Sequence, residues 1–135
     1  MNPATERRLL QLATALACAV PLSMGAISVV SGPDVIRGVQ APWPIDLDSH
    51  FRYLSGILLG TGLIYLACLP TIERRGEIFC ALCFAIVIGG LARLGSAIWM
   101  GWPGDGHRFG LVMELIVVPA ITLWQMRVAR RFRAS

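Results

Sequence analysis

Charge is scarce in this chain, and lysine is missing altogether. Only 15% of its 135 residues are Asp, Glu, Lys or Arg, where a soluble domain carries about 25%. A chain so poor in charge, and 56% hydrophobic, cannot cover a water-facing surface with polar groups. A soluble globular domain is therefore excluded as the first reading. The twelve basic residues are all arginine, for which GC-rich coding is a sufficient account. Net charge is +4, but no basic helix or aromatic-interleaved basic patch accompanies it, so nucleic acid is not expected as a partner. Gly-rich phosphate loops, an H-E-x-x-H pattern and a Ser-His-Asp order are also absent from the sequence. Four cysteines are too few and too irregularly spaced for a disulfide framework.

What the chain does have is long apolar runs. They cover residues 9–31, 50–69, 78–100 and 107–126. Each is about 20 residues, the length of a helix that crosses a bilayer core. Strands are excluded because the runs are too long and lack period-two alternation. Breakers separate them: "GPD" and "APWP", then "PTIERRGE", then "GWPGDG". The expected fold is all-α, an integral membrane bundle of four helices with a left-handed twist. Residues 1–135 form one four-span domain in this reading, with 127–135 as a tail.

Arginine placement orients the spans. Arg7, Arg8, Arg74, Arg75, Arg127, Arg130, Arg131 and Arg133 fall on one side. Arg37, Arg52, Arg93 and Arg108 fall toward the other, offset by Asp34, Asp46, Asp48 and Asp105. The positive-inside rule then puts both termini in the cytoplasm. Trp43, Tyr53, Trp99 and Trp102 would mark the outer interface, and Tyr65, Phe79 and Trp124 the inner one. The Ala17-Cys18-Ala19 triplet has the shape of a signal-peptide cleavage site, but the apolar run continues well past it, so the first span is expected to stay.

Two charges interrupt the apolar runs, Arg93 in "GGLARLGSAIW" and Glu114 in "FGLVMELIVVP". Measured along a helix from the short turn at Gly101, Arg93 lies about 12 Å inward and Glu114 about 10 Å inward. Consecutive spans on a short turn are antiparallel neighbours, so the two charges fall at one depth. An arginine at that depth costs on the order of 3 kcal/mol on insertion scales, and a facing carboxylate relieves it. Gly89, Gly90, Arg93, Ser96 and Ala97 share one small and polar helical face, and His107, Gly110 and Glu114 share another. Gly56 and Gly60 form the GxxxG of "GILLG", a packing signal together with Gly89 and Gly90. Arg52 aligns with Ser55 and Gly56. The expected polar cluster is Arg52, Arg93, Glu114 and His107, with His50 and Tyr53 at its margin. It reads equally as a register-fixing packing network and as a pocket for an anionic or polar head group.

Other signals are weaker. Cys80 and Cys83 form a C-x-x-C, but within a span, where cysteine serves as a small hydrophobe. Asp46, Asp48 and His50 with Asp105 and His107 could be imagined around a metal, yet no ligand motif supports it, and Asp48 or Ser49 reads as a helix cap. No metal and no cofactor is expected. Pro21 and Pro119 each free a carbonyl one turn back, at Ala17 and Leu115, and Pro119 is close enough to Glu114 to shape its surroundings.

These residues carry a family resemblance. "HFRYLSGILLGTGLIYL", "GGLARLGSAIWMGWP" and "LVMELIVVP" together resemble a bacterial family of small four-helix membrane proteins, domain of unknown function 4345. The resemblance covers about residues 9–127 and picks out Arg52, Gly56, Gly60, Gly89, Gly90, Arg93 and Glu114. It implies a multi-pass inner-membrane protein and no stated activity. A more distant likeness in layout is to sterol-binding four-helix membrane families and DoxX-like proteins, by architecture only.

The function expected first is non-catalytic binding of a small amphiphile, a lipid or isoprenoid, through Arg52, Arg93, Glu114 and His107. The second is a structural or accessory subunit that meets a protein partner or further copies of itself. The third is a membrane enzyme such as an isomerase, with Glu114 or His107 as acid or base. A cavity of about 300 Å³ or more reaching Arg93 would favour the first or third; a filled core with a flat apolar exterior would favour the second. Topology is directly testable. Reporter fusions after Gly104 and at Ser135 are expected to report opposite sides of the membrane, and identical reports would end the four-span reading.

Overall fold

A computed structural model describes residues 2–134. Within them the chain is all-helical, with four helices long and apolar enough to cross a membrane. Helix α1 spans Pro3–Ser31, α2 Ile45–Cys68 and α3 Gly76–Met100. Helix α4 runs through Asp105–Arg133, with a π-helical turn at Met113–Val117 inside it. At 1.5 Å per residue these are about 36 to 44 Å long, beyond the roughly 30 Å of a bilayer core. Helix is the only open architecture that satisfies every backbone group within the segment itself, which apolar surroundings demand. The first two apolar runs begin earlier as helix than their hydrophobicity does. In α2, Asp46 and Asp48 occupy the first turn, where carboxylates complement the positive end of the helix dipole. Residues 127–133, expected as a tail, continue α4.

Helix α3 ends at Gly101, whose φ of 102° is a conformation that side chains disfavour. The turn that follows is held by Arg108, which donates from Nε to the Pro103 carbonyl at 2.9 Å and lies 3.5 Å from Asp105. Two short 3-10 segments, Gly32–Val35 and Leu69–Arg74, close the other helix ends.

Packing divides the chain into two compact units. One comprises the residues through Ala13 and those from Pro70 onward; the other is Thr14–Leu69. Helix α1 contributes to both. In the second unit the later part of α1 runs antiparallel to α2. A Cβ placed on Gly25 would lie 2.8 Å from the Leu59 backbone nitrogen, and one on Gly62 would lie 3.2 Å from Leu22. Backbone approach that close needs glycine. Of the four glycines expected at packing positions, Gly56 and Gly60 meet no atom of their own unit within 4 Å. The same open surroundings hold for Gly89 in the first unit, whereas a Cβ on Gly90 would lie 2.8 Å from Leu115 and 2.9 Å from the Glu114 Cβ.

In the first unit, α3 and α4 are antiparallel and the start of α1 joins them. Leu10, Ile72 and Phe79 are fully buried there. Gln125, equally buried, donates from Nε2 to the Ile72 carbonyl at 2.7 Å. The most buried acid of the unit is Glu6, 1% exposed. It accepts from Arg131 at 2.7 Å and meets Arg127 Nε at 3.1 Å. A few residues away Glu73 faces Arg7 at 3.0 Å, and Arg7 also donates to the Pro70 carbonyl at 2.7 Å. The two ends of the described chain are thus joined through one carboxylate and two guanidinium groups.

That sharing makes a prediction. Replacing Arg127 alone, 63% exposed, by Gln should cost under about 1 kcal/mol. Replacing Arg131 alone leaves Glu6 with Arg127 and should also be mild. The double variant strands a buried carboxylate and should cost about 2–3 kcal/mol, more than the two single losses together. Thermal unfolding in detergent of the three variants checks this; simple additivity would show that Glu6 is not a shared partner.

Candidate functional site

Arg93 sits about two helical turns before the end of α3, facing α4. Its guanidinium meets Glu114 in a two-bond fork, Nε to Oε2 at 3.1 Å and Nη2 to Oε1 at 3.0 Å. A fork of this kind fixes both planes as well as the distance. The remaining amino group, Nη1, lies 2.7 Å from His107 Nδ1. Arginine can only donate, so that ring nitrogen is the acceptor and the imidazole hydrogen belongs on Nε2. The donor left over on the triad is then the His107 Nε2–H, and His107 lines the cleft described below.

The backbone makes room for the pair. Gly90 lets α3 approach Glu114, as its missing Cβ shows. Gly110, one turn before Glu114, would place a Cβ 3.7 Å from Glu114 Oε1 and 3.9 Å from Arg93 Cζ. Glu114 itself stands in the π-turn, where the Val118 amide bonds to the Met113 carbonyl five residues back. Pro119 has no amide hydrogen, and its ring would press on the Leu115 carbonyl in a regular helix. Widening the preceding turn relieves that contact. A π-turn inside an α-helix is uncommon and occurs often at functional sites.

Beside the triad is an open cleft of about 230 Å³, lined by Arg93, Ser96, Ala97, Gly101, Pro103 and His107. It is smaller than the roughly 300 Å³ at which small-molecule pockets usually begin. Glu114 is not among its lining residues. The cleft has a polar side, Arg93, Ser96 and His107, and a less polar side, Ala97, Gly101 and Pro103.

Arg52 belongs to the second unit and has other work. Its Nε bonds both Asp48 oxygens at 3.0 and 2.9 Å, and its Nη1 donates to the Val29 and Val30 carbonyls at 2.5 and 2.8 Å. Those carbonyls belong to the last turn of α1, where no helical amide remains to satisfy them. Arg52 thus closes the negative end of α1, and Asp48 holds it there. Gly32, with φ of 63°, completes this corner: a Cβ on it would lie 2.6 Å from Arg52 Nη2. Of the expected cluster, Arg93, His107 and Glu114 meet within the first unit, and Arg52 is engaged with Asp48 and carbonyls of its own unit. His50 and Tyr53 are exposed. Cys80 and Cys83 are free thiols. Among the described residues no three His, Cys, Asp or Glu side chains gather as a metal site would require.

A family model described as a domain of unknown function, DUF4345, matches residues 9–125. The chain belongs to the DUF4345 family. The matched region contains the whole Arg93–His107–Glu114 triad and the Asp48–Arg52 corner of this DUF4345 chain, and stops short of the arginines from Arg127 onward. No curated protein and no solved structure matches it. Glu6 and its two arginines were not found from the sequence. They lie outside the apolar runs and over a hundred positions apart, as the separation of 125 between Glu6 and Arg131 shows.

The triad generates a stability prediction. With side chains 37% and 20% exposed, the Arg93–Glu114 pair should be worth less than a fully buried one. Glu114→Ala leaves an arginine that cannot shed its charge and should cost about 2–3 kcal/mol. Arg93→Leu should cost less, since a carboxyl can take up a proton. The double variant should recover part of the loss. A double-mutant cycle on thermal stability in detergent measures the coupling, and additive losses would show that the pair contributes nothing jointly.

Proposed function

We propose that this DUF4345 chain is a multi-pass inner-membrane protein with both termini in the cytoplasm, and that it binds the polar head of a small amphiphile without chemistry. The membrane reading is supported by four apolar helices of spanning length whose side chains stay largely uncovered: Leu16, Phe84, Ile98 and Trp99 are 76, 70, 73 and 88% exposed. In water so much uncovered apolar area would be strongly unfavourable; in lipid it is the solvent-facing surface.

The observation that carries the ligand reading is the polar lining of the cleft beside the triad, Arg93, Ser96 and His107. Its volume of about 230 Å³ falls short of a pocket for a whole ligand. At about 30 Å³ per water it holds roughly eight waters, room for a head group alone, with the tail left to lie along the exposed face at Trp99. Arg93 is already closed on Glu114, so the cleft offers a neutral site with two donors, the His107 Nε2–H and the Ser96 hydroxyl. That favours an uncharged acceptor, such as the hydroxyl or carbonyl end of an isoprenoid or related lipid, over a free acid. A second reading is favoured by the same fork. If its bonds serve only to fix α3 against α4, the chain is a structural or accessory subunit. Acid–base catalysis has less support, because Glu114 is spent on Arg93 and lies outside the cleft lining.

Mass spectrometry of the chain purified in mild detergent separates these. The binding reading expects a neutral amphiphile to co-purify, and Ser96→Phe, which fills the cleft without touching the ion pair, to lose it at unchanged melting temperature. A chain that carries nothing, or a Ser96→Phe variant that keeps its lipid, would move the conclusion to the packing role.

A further inference from the structure

The first unit has a second hollow, of about 240 Å³, at the end where arginine accumulates. It is lined by Glu73, Arg74, Ala129, Phe132 and Arg133. We propose that this hollow is a phosphate site, occupied by the head group of an anionic phospholipid. The amphiphile cleft beside Arg93 is neutral; this one is not.

The argument is one of unspent charge. Around this end stand Arg7, Arg8, Arg74, Arg75, Arg127, Arg130, Arg131 and Arg133 against Glu6, Glu73 and Glu77. The two acids buried here are already answered. Glu6 takes Arg127 and Arg131, and Glu73 takes Arg7 at 3.0 Å. Glu73 is the one carboxylate in the hollow's lining, and its charge is met from outside that lining by Arg7. It also sits 3.9 Å from Arg74 Nε, which positions that side chain and leaves both terminal amino groups of Arg74 without an ion pair among the described residues. Arg74 is 82% exposed. Arg133 forms no ion pair among the described residues. Two guanidinium groups bordering one hollow, each able to give two parallel donors, match the oxygens of a phosphate ester.

The remaining walls fit the rest of a phospholipid. Ala129 and Phe132 are apolar and adjoin the arginines, as the glycerol and first methylenes require. Basic pockets between helices at the cytoplasmic boundary are suited to anionic head groups on general electrostatic grounds. The opposing effect is the negative end of α4, whose last-turn carbonyls would repel an anion; Arg130, Arg131 and Arg133 in that turn offset it. The phosphate chemistry stands on these residues alone. Its assignment to a lipid rests on the membrane reading above.

The test uses the full chain in a neutral detergent, titrated with short-chain phosphatidylglycerol, with phosphatidylcholine of the same tails, and with inorganic phosphate, binding being counted by native mass spectrometry. Phosphatidylglycerol should bind about tenfold more tightly than phosphatidylcholine. Arg74→Gln/Arg133→Gln should abolish that preference. Arg8→Gln/Arg130→Gln, an equal loss of charge outside the hollow, should keep it. Ser96→Phe should also keep it, which separates this site from the cleft at Arg93. Displacement of the lipid by inorganic phosphate would support the phosphate chemistry and assign it to the free anion as well. No preference in the native chain, or equal loss in both double variants, would overturn the proposal and leave only diffuse surface charge.

Discussion

An arginine that cannot be discharged, placed in the middle of an apolar helix, sets the terms for everything around it. Arg93 needs a counter-charge at its own depth, and Glu114 supplies it through two bonds. That requirement explains why the facing backbone carries Gly90 and Gly110, since a side chain at Gly90 would collide with the acid it must admit. The π-turn that relieves Pro119 falls where Glu114 is presented. His107 completes the arrangement by accepting the last free edge of the guanidinium. The cleft beside it is bordered by Arg93 itself and by the small residues Ser96, Ala97 and Gly101.

The same rule recurs at other charged positions within the helices, with different partners. Arg52 is balanced by Asp48 and by the orphan carbonyls of α1. Glu6 is balanced twice, by Arg127 and Arg131. Glu73 is balanced by Arg7. What differs between the two ends of the first unit is the remainder. At the Arg93 end the charges cancel and only neutral donors are left over. At the Arg133 end cations outnumber acids, and the excess borders a hollow. A single chain thereby offers two chemically distinct surfaces.

The four helices were legible from run length alone, because about 20 apolar residues between strong breakers leave one architecture open. Arg93 and Glu114 were legible as a pair for a geometric reason: both can be measured from the same short turn. Arg52 was placed in the polar cluster because it shares a helical face with Ser55 and Gly56, and its bonds to Asp48 and to the Val29 and Val30 carbonyls were not legible. Nothing in the sequence marks which carbonyls a helix leaves unsatisfied when it ends. Glu6 was missed because its partners are remote in sequence and no periodicity relates them. Of the glycines expected at packing positions, Gly56, Gly60, Gly89 and Gly90, a close approach is seen at Gly90, while that at Gly25 carries no spacing signal. Spacing reports which residues share a face, and says nothing of which face meets a neighbour.

The π-turn at Met113–Val117 has a consequence for how this segment tolerates change in length. It is one residue wider than an α-turn, and each residue advances a helix by about 100°. Glu114 is anchored to Arg93 on one side of it, and Gln125 to the Ile72 carbonyl on the other. Because the wide turn absorbs one residue's advance, removing a single residue from it restores regular helix and keeps both anchors on their faces. A residue lost from the regular helix between the turn and Gln125 is not absorbed in this way, and it swings one half against the other by that angle, so that one anchor points away from its partner. The π-turn is thus the stretch between the two anchors that tolerates a shortening by one residue.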